Sequence, residues 1–250
     1  MLITKFDPSS IEDGKVCLII GKRGTGKSVL LKDLMYFKRH FQAGVVMSGT
    51  EEGNGYYKGW VPDVFVYNDF NREVIAKIIK RQKKLSNEGR AKPVFIVLDD
   101  CLYDKKILKE KVMRAIFMNG RHWKINLWCT AQYLMDVPPD IRMQIDYVFA
   151  FRDNIVNNRK KLYMNFFGVF RKFDDFCHVM DRCTENYECL VLNNATQSND
   201  IEATVFWYKA KKRQFKMGGD EMWRFHTTNY NPNHDDEDAG SGEQIIVKRK

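Results

Sequence analysis

The sequence predicts an α/β fold: a mainly parallel sheet with helices against both faces. Three observations predict it. Apolar runs without interruption recur, such as VCLII (16–20) and PVFIVLDD (93–100). Strands that read apolar at every position are buried on both faces, which is the habit of parallel sheets. Helical patterns separate these runs, as crossover connections between parallel strands require. A glycine-rich loop joins the first run to the first helix, the layout of ligand-binding α/β sheets.

Each element follows from period and punctuation. VCLII is the first strand. Residues 28–39 are a helix, with Leu30, Leu31, Leu34 and Met35 on one side. AGVVMS (43–48) and DVFVY (63–67) are the next two strands. Residues 71–85 are helical, with Ile75, Ile78 and Ile79 at core-facing spacing. The strand at 93–100 ends in two acids. Residues 105–119 form a helix with Leu108, Val112 and Ile116 on its buried stripe. INLWCTAQ (125–132) and DYVFAF (146–151) are strands, and 154–182 reads as helical. YECLVLNN (187–194) and ATVFWYKA (203–210) are late strands, expected as an antiparallel addition across the polar turn NNATQSND.

The chain has 250 residues, of which 44% are apolar, enough for one large core. No run of eighteen apolar residues is present, so no membrane span is expected. The start, MLITKFDPSS, lacks the basic-then-apolar layout of a signal peptide. Three of the six cysteines lie in or beside apolar runs and read as small hydrophobes in a reducing, intracellular compartment. The last three, with His178, have the spacing C-H-x4-C-x5-C, which fits no zinc pair. From Asn231 the composition changes to an acidic block, a Gly/Ser piece and a basic end, and a disordered tail is expected over 231–250. Formal charge is +9; without the tail's five acids and three bases, residues 1–230 carry 38 − 27 = +11.

GKRGTGKS (Gly21 to Ser28) matches G-x-x-x-x-G-K-[ST] between a strand and a helix. Glycines let successive backbone N–H groups turn inward toward phosphate oxygens, and the helix adds the positive end of its dipole. The expected phosphate-binding set is Gly21, Lys22, Arg23, Gly24, Thr25, Gly26, Lys27, Ser28 and Val29. Lys27 reaches the β- and γ-phosphates, and the Ser28 hydroxyl sits on Mg²⁺. Asp99, at the end of a buried strand, is the expected metal acid. Asp100 takes the position of a water-activating base, with Glu51 and Glu52 as alternatives. Gln132 ends the next strand and can hydrogen-bond a γ-phosphate or the attacking water. A guanidinium can stabilise the charge of phosphoryl transfer. Such an arginine can come from a neighbouring subunit; Arg121 and Arg142, near the expected nucleotide edge, are the candidates, with Arg152 directly after a strand.

The order of GKRGTGKS, LDDC, NGRHWKINLWCTAQ and PPDIR resembles the poxvirus-type genome-packaging ATPases of large DNA viruses, in the HerA/FtsK branch of P-loop ATPases. SGTEEGNGYYKGWVPDVFVY also resembles that family, and the likeness spans roughly residues 12 to 195. It implies a RecA-like core, a homo-oligomeric ring, ATP and Mg²⁺ as cofactors, and ATP-driven movement of double-stranded DNA into a capsid; with the tail set apart, the expected domain is 1–230. It further implies capsid or portal partners, and the host cytoplasm or a viral factory as location. It carries phosphate binding to Gly21 through Ser28, metal binding to Asp99 and the polar sensor to Gln132. The family more often has Asp-Glu where Asp99-Asp100 stands.

A basic body suits DNA phosphates. KRQKKL (80–85), RKK (159–161), RKF (171–173) and KAKKRQFK (209–216) are the candidate contacts. Two other readings use the same loop: a nucleoside or nucleotide kinase, and an assembly protein that binds nucleotide without turnover.

Overall fold

The computed structural model describes residues 2–102, 106–133 and 137–230. Their strands form one sheet: β1 (Thr4–Lys5), β2 (Val16–Ile20), β3 (Ala43–Ser48), β4 (Val66–Tyr67), β5 (Val94–Asp99), β6 (Ile125–Ala131), β7 (Tyr147–Ala150), β8 (Glu188–Asn193) and β9 (Val205–Lys209). The order across the sheet is β1-β9-β8-β7-β2-β6-β5-β3-β4. Among the described strands only β8 runs against the rest, pairing antiparallel with β7 and β9. This matches the expected mainly parallel sheet with a late antiparallel addition.

Alternation explains why the central strands read apolar throughout. On β5, Val94, Ile96 and Leu98 join one core while Phe95 and Val97 join the other. On β2, Leu18 and Ile20 face the first core, and Cys17 and Ile19 the second. Each face then needs a cover. The first takes α3 (Arg72–Asn87), α4 (Lys111–Asn119), α6 (Val156–Asn165) and α7 (Phe173–Cys183) through Ile75, Ile79, Ile116, Leu162, Phe176 and Met180. The second takes α1 (Lys27–Tyr36), whose Leu30, Leu31, Leu34 and Met35 are all buried as the spacing predicts, and α9 (Asp220–Asn229) through Met222. Three one-turn helices complete the set: α2 (Glu51–Asn54), α5 (Pro139–Arg142) and α8 (Ile201–Thr204). Gly44 on β3 lies across from Phe95, and a Cβ there would sit 2.3 Å from the ring.

Several expectations are corrected. DVFVY is a 3-10 turn over Asp63–Phe65 and only then the two-residue strand β4. The helical stretch 154–182 is two helices. Between them FFGVF turns inward, burying Phe166, Phe167 and Phe170, and Phe167 packs 5.1 Å from Phe176. Burying three phenylalanines outweighs continuing a helix through Gly168. The helix expected from 105 begins at Lys111, after a 3-10 turn over Ile107–Lys109. Its first residue, Lys105, lies outside the described residues, as does the tail 231–250. β1, α2, α5, α8 and α9 were not expected.

Candidate active site

β2, β5, β6 and β7 all run the same way, so their carboxyl ends share one edge of the sheet. The loop after β2 is pinned there: the Gly21 N–H donates to the Ala131 carbonyl at the end of β6, 3.0 Å away. A Cβ on Gly21 would fall 2.6 Å from Thr25 Oγ1 and 2.8 Å from Phe151 Cβ, so the tight turn excludes larger residues. Gly24 and Gly26 have φ of +79° and +101°, a region costly for side chains. Thr25 closes the turn, donating through both its amide and its hydroxyl to the Lys22 carbonyl. Gly26 then caps α1 with no side-chain oxygen. The first-turn amides, including those of Ser28 and Val29, receive no side-chain cap and suit an anion.

Lys27 is 7% exposed, yet its Nζ reaches the opposite wall of the cleft, 3.9 Å from Asp100 Oδ2. It also lies 3.4 Å from the Lys22 carbonyl. Lys22 faces Asp153 at 3.3 Å, while Arg23 is exposed.

Asp99 ends β5 and is 4% exposed. The Thr130 hydroxyl donates to its Oδ1 at 2.5 Å, and the Tyr57 hydroxyl to its Oδ2 at 2.7 Å. Burial raises its pKa; the two hydroxyls pull it back, Asp100 adds to the rise and Lys27 opposes it. Asp100 stands in the left-handed region, φ +51°. That turn aims its carboxylate into the cleft, where Gln132 Nε2 lies 3.2 Å from Oδ2. Its amide donates to Thr130 Oγ1 at 2.9 Å, so one threonine hydroxyl ties the two acids together. The structure thus brings Lys27, Asp99, Asp100 and Gln132 into one cleft.

The segment after β3 braces that cleft. Glu51 is buried and accepts from the Tyr57 and Lys58 amides at 2.9 and 3.1 Å. Burial raises its pKa. Those bonds make it a loop-holding carboxylate; Glu52 is exposed. The Tyr56 hydroxyl donates to the Ser28 carbonyl at 3.0 Å, and burial pushes its pKa up to about 12. Sequence reasoning missed Thr130 and Tyr57 as partners of Asp99. A hydroxyl one residue before a strand's last apolar position was the available signal for Thr130; nothing local marked Tyr57.

The two arginine candidates are corrected in position. Arg121 lies in the 3-10 turn before β6, where a Cβ on Gly14 would meet its Cα at 3.1 Å. Gly14 precedes β2, so Arg121 is on the amino edge, opposite the phosphate loop. Arg142 ends α5, a few residues before β7, and donates to Asn165. It too serves the amino edge. Arg152 stands two residues after the end of β7, on the carboxyl edge, and bonds Asn154 at 3.2 Å.

Ser28, Asp99 and Asp100 offer only hard oxygen donors. Among the described residues no three His, Cys, Asp or Glu side chains form a metal cage. A cation here must complete its shell with phosphate oxygens and water, which suits magnesium.

Residues 4–216 match the family described as Poxvirus A32 protein. The chain belongs to that family. This bears out the resemblance to the packaging ATPases of large DNA viruses. An uncharacterized protein of frog virus 3, 015R, is 40% identical to this A32-family chain over 218 residues, 85% of this chain and 67% of that one. The fold is similar to the genome packaging NTPase B204 of Sulfolobus turreted icosahedral virus 2. Its complex with AMP gives a TM-score of 0.58 at 17% identity, covering 82% of this chain and all of that one. Its complex with AMPPCP gives 0.56 at 16% over the same shares. Among the described residues no helix is long and apolar enough to cross a membrane.

Proposed function

We propose that this A32-family chain hydrolyses ATP with Mg²⁺ and uses it to drive double-stranded viral DNA into a preformed capsid. It works as a homo-oligomeric ring with capsid or portal components, in the host cytoplasm or viral factory. Residues 1–230 are the motor domain and 231–250 its tail. One observation carries the reading: a buried lysine at an uncapped helix start faces two acids and an amide across a single cleft.

Backbone amides from Gly21 to Val29 grip the phosphates. Lys27 neutralises the charge that builds on the transferring group. Ser28 and Asp99 hold the Mg²⁺, which supplies charge for the leaving phosphate oxygens. Thr130 and Tyr57 hold Asp99 in place, and their hydroxyls favour its ionised form against the rise that burial causes. Asp100 and Gln132, paired with each other, orient and deprotonate the attacking water. Arg152 is the guanidinium whose position in its own chain suits the phosphate edge.

For the DNA track, partners narrow the candidates. Arg213 is spent on Asp33, Lys216 lies over Trp223, and Arg159 pairs with Asp181. Lys211 and Lys212 remain exposed in the densest cluster, as do Lys80 and Arg81 on α3. The test is phosphate release by the full chain with Mg²⁺, with and without duplex DNA. Wild type should be stimulated by DNA, less so as salt rises, and Lys27→Ala should lose turnover at least a hundredfold. Turnover on a small metabolite with no response to DNA would overturn the proposal.

A further inference from the structure

The acids, Lys27 and Gln132 occupy the β5/β6 side of the phosphate loop. A triphosphate with its γ end there must release its nucleoside on the other side of β2, toward β7 and β8. β8 runs antiparallel to β7, with Ala150 opposite Leu190, so the turn entering β8 comes up beside the loop. Two successive residues of that turn are left-handed, Asn186 at φ +51° and Tyr187 at +65°. Tyrosine is costly in that region. The strain does not serve burial, because Tyr187 is 70% exposed. It does set the ring against the phosphate loop. A Cβ on Gly26 would lie 3.6 Å from Tyr187 Cδ1, and 3.8 Å from Cε1 of the buried Phe151. An exposed aromatic face, held at a conformational cost where a nucleoside emerges, is a site for a flat apolar ligand.

We propose that Tyr187 is the platform on which the nucleotide base stacks. The proposal rests on the phosphate-loop reading above and adds what that loop cannot supply, a grip on the base. Stacking uses the π-face of a base and ignores its hydrogen-bonding edge. The platform therefore takes purine triphosphates as a class, ATP and GTP alike, ahead of the smaller pyrimidine rings. The adjacent Phe151 is buried and backs the loop, so of these two rings Tyr187 offers the stacking surface.

The test is calorimetric titration of the full chain, with Mg²⁺, against ATP and against inorganic tripolyphosphate. Tyr187→Ala should weaken ATP roughly tenfold and leave tripolyphosphate within about twofold. Tyr187→Phe should bind both like wild type. Tyr187→Gly removes the ring and relieves the left-handed strain; it should lose ATP affinity as the alanine variant does while melting no lower than wild type. Tyr187→Ala binding ATP as wild type does would overturn the platform. So would an equal loss for both ligands, which marks a deformed loop. If wild type bound neither ligand, the phosphate-loop reading itself would fall, and the platform with it. Wild type binding both, with ATP the tighter, supports both.

Discussion

Replacing Tyr57 with phenylalanine removes one oxygen atom and leaves a fully buried ring in place. The ring keeps its contacts with Tyr56 and Trp60, centroids 5.3 and 5.4 Å away. What is lost is the donor to Asp99 Oδ2 at 2.7 Å. Asp99 is nearly inaccessible, so water cannot readily take its place. A hydrogen bond to a charged group contributes about 1.5–3 kcal/mol. In a chain of this size each kcal/mol moves the melting temperature by about 2–4 °C. Tyr57→Phe should therefore melt roughly 3–12 °C lower at neutral pH. The Tyr57 bond favours the ionised carboxylate, so its loss raises the Asp99 pKa further. Two pH effects follow. The melting deficit shrinks as pH falls through the Asp99 pKa, because a neutral carboxyl needs the donor less. The acid limb of ATP hydrolysis should move to higher pH if Asp99 holds the metal as proposed, because that role needs its charge. Thermal melts from pH 4 to 8 and phosphate-release profiles measure both. A deficit that is the same at every pH, together with an unmoved acid limb, would refute the coupling of Tyr57 to the charge on Asp99.

Asp99→Asn should abolish hydrolysis yet stabilise the chain. Burial raises the Asp99 pKa above its unfolded value, so the stability it contributes is complete at low pH and lost as pH rises through the folded pKa. Asparagine cannot ionise; its variant should melt higher than wild type at pH 7 and level with it near pH 4, in a melt series without nucleotide. Asp33 is fully buried and accepts from Tyr208, the Lys211 amide and Arg213 at 2.7, 2.8 and 2.7 Å. Asp33→Ala strands that group and should cost about 3–5 kcal/mol in urea unfolding, while ATP affinity, measured where the variant is still folded, stays near wild type.

The parts of the site legible in the sequence are those fixed by chain order alone. A glycine loop between a strand and a helix, and acids or an amide directly after parallel strands, fall on one edge whatever else the chain does. That reasoning reached Lys27, Asp99, Asp100 and Gln132. It also explains where the arginines fall. In a parallel sheet a residue just before a strand lies on the edge opposite one just after it, so Arg121 and Arg142 lie away from their own chain's phosphate loop, where only a neighbouring subunit's loop is open to them, and Arg152 lies on the loop's edge. Thr130 and Tyr57 escaped for another reason. Their bonds to Asp99 span 31 and 42 residues, and no local period encodes a partner so far away. The split of 154–182 was decided by phenylalanines finding a core, which propensity along the chain does not record.

Asp33 lies on α1, six residues beyond Lys27, or about 9 Å along one rigid rod. One end of that rod presents amides to phosphate. The other is bolted, through Tyr208, Lys211 and Arg213, to the stretch richest in cations. If Lys211 and Lys212 touch DNA as proposed, α1 is the rigid piece that ties the phosphate loop to that contact through Asp33.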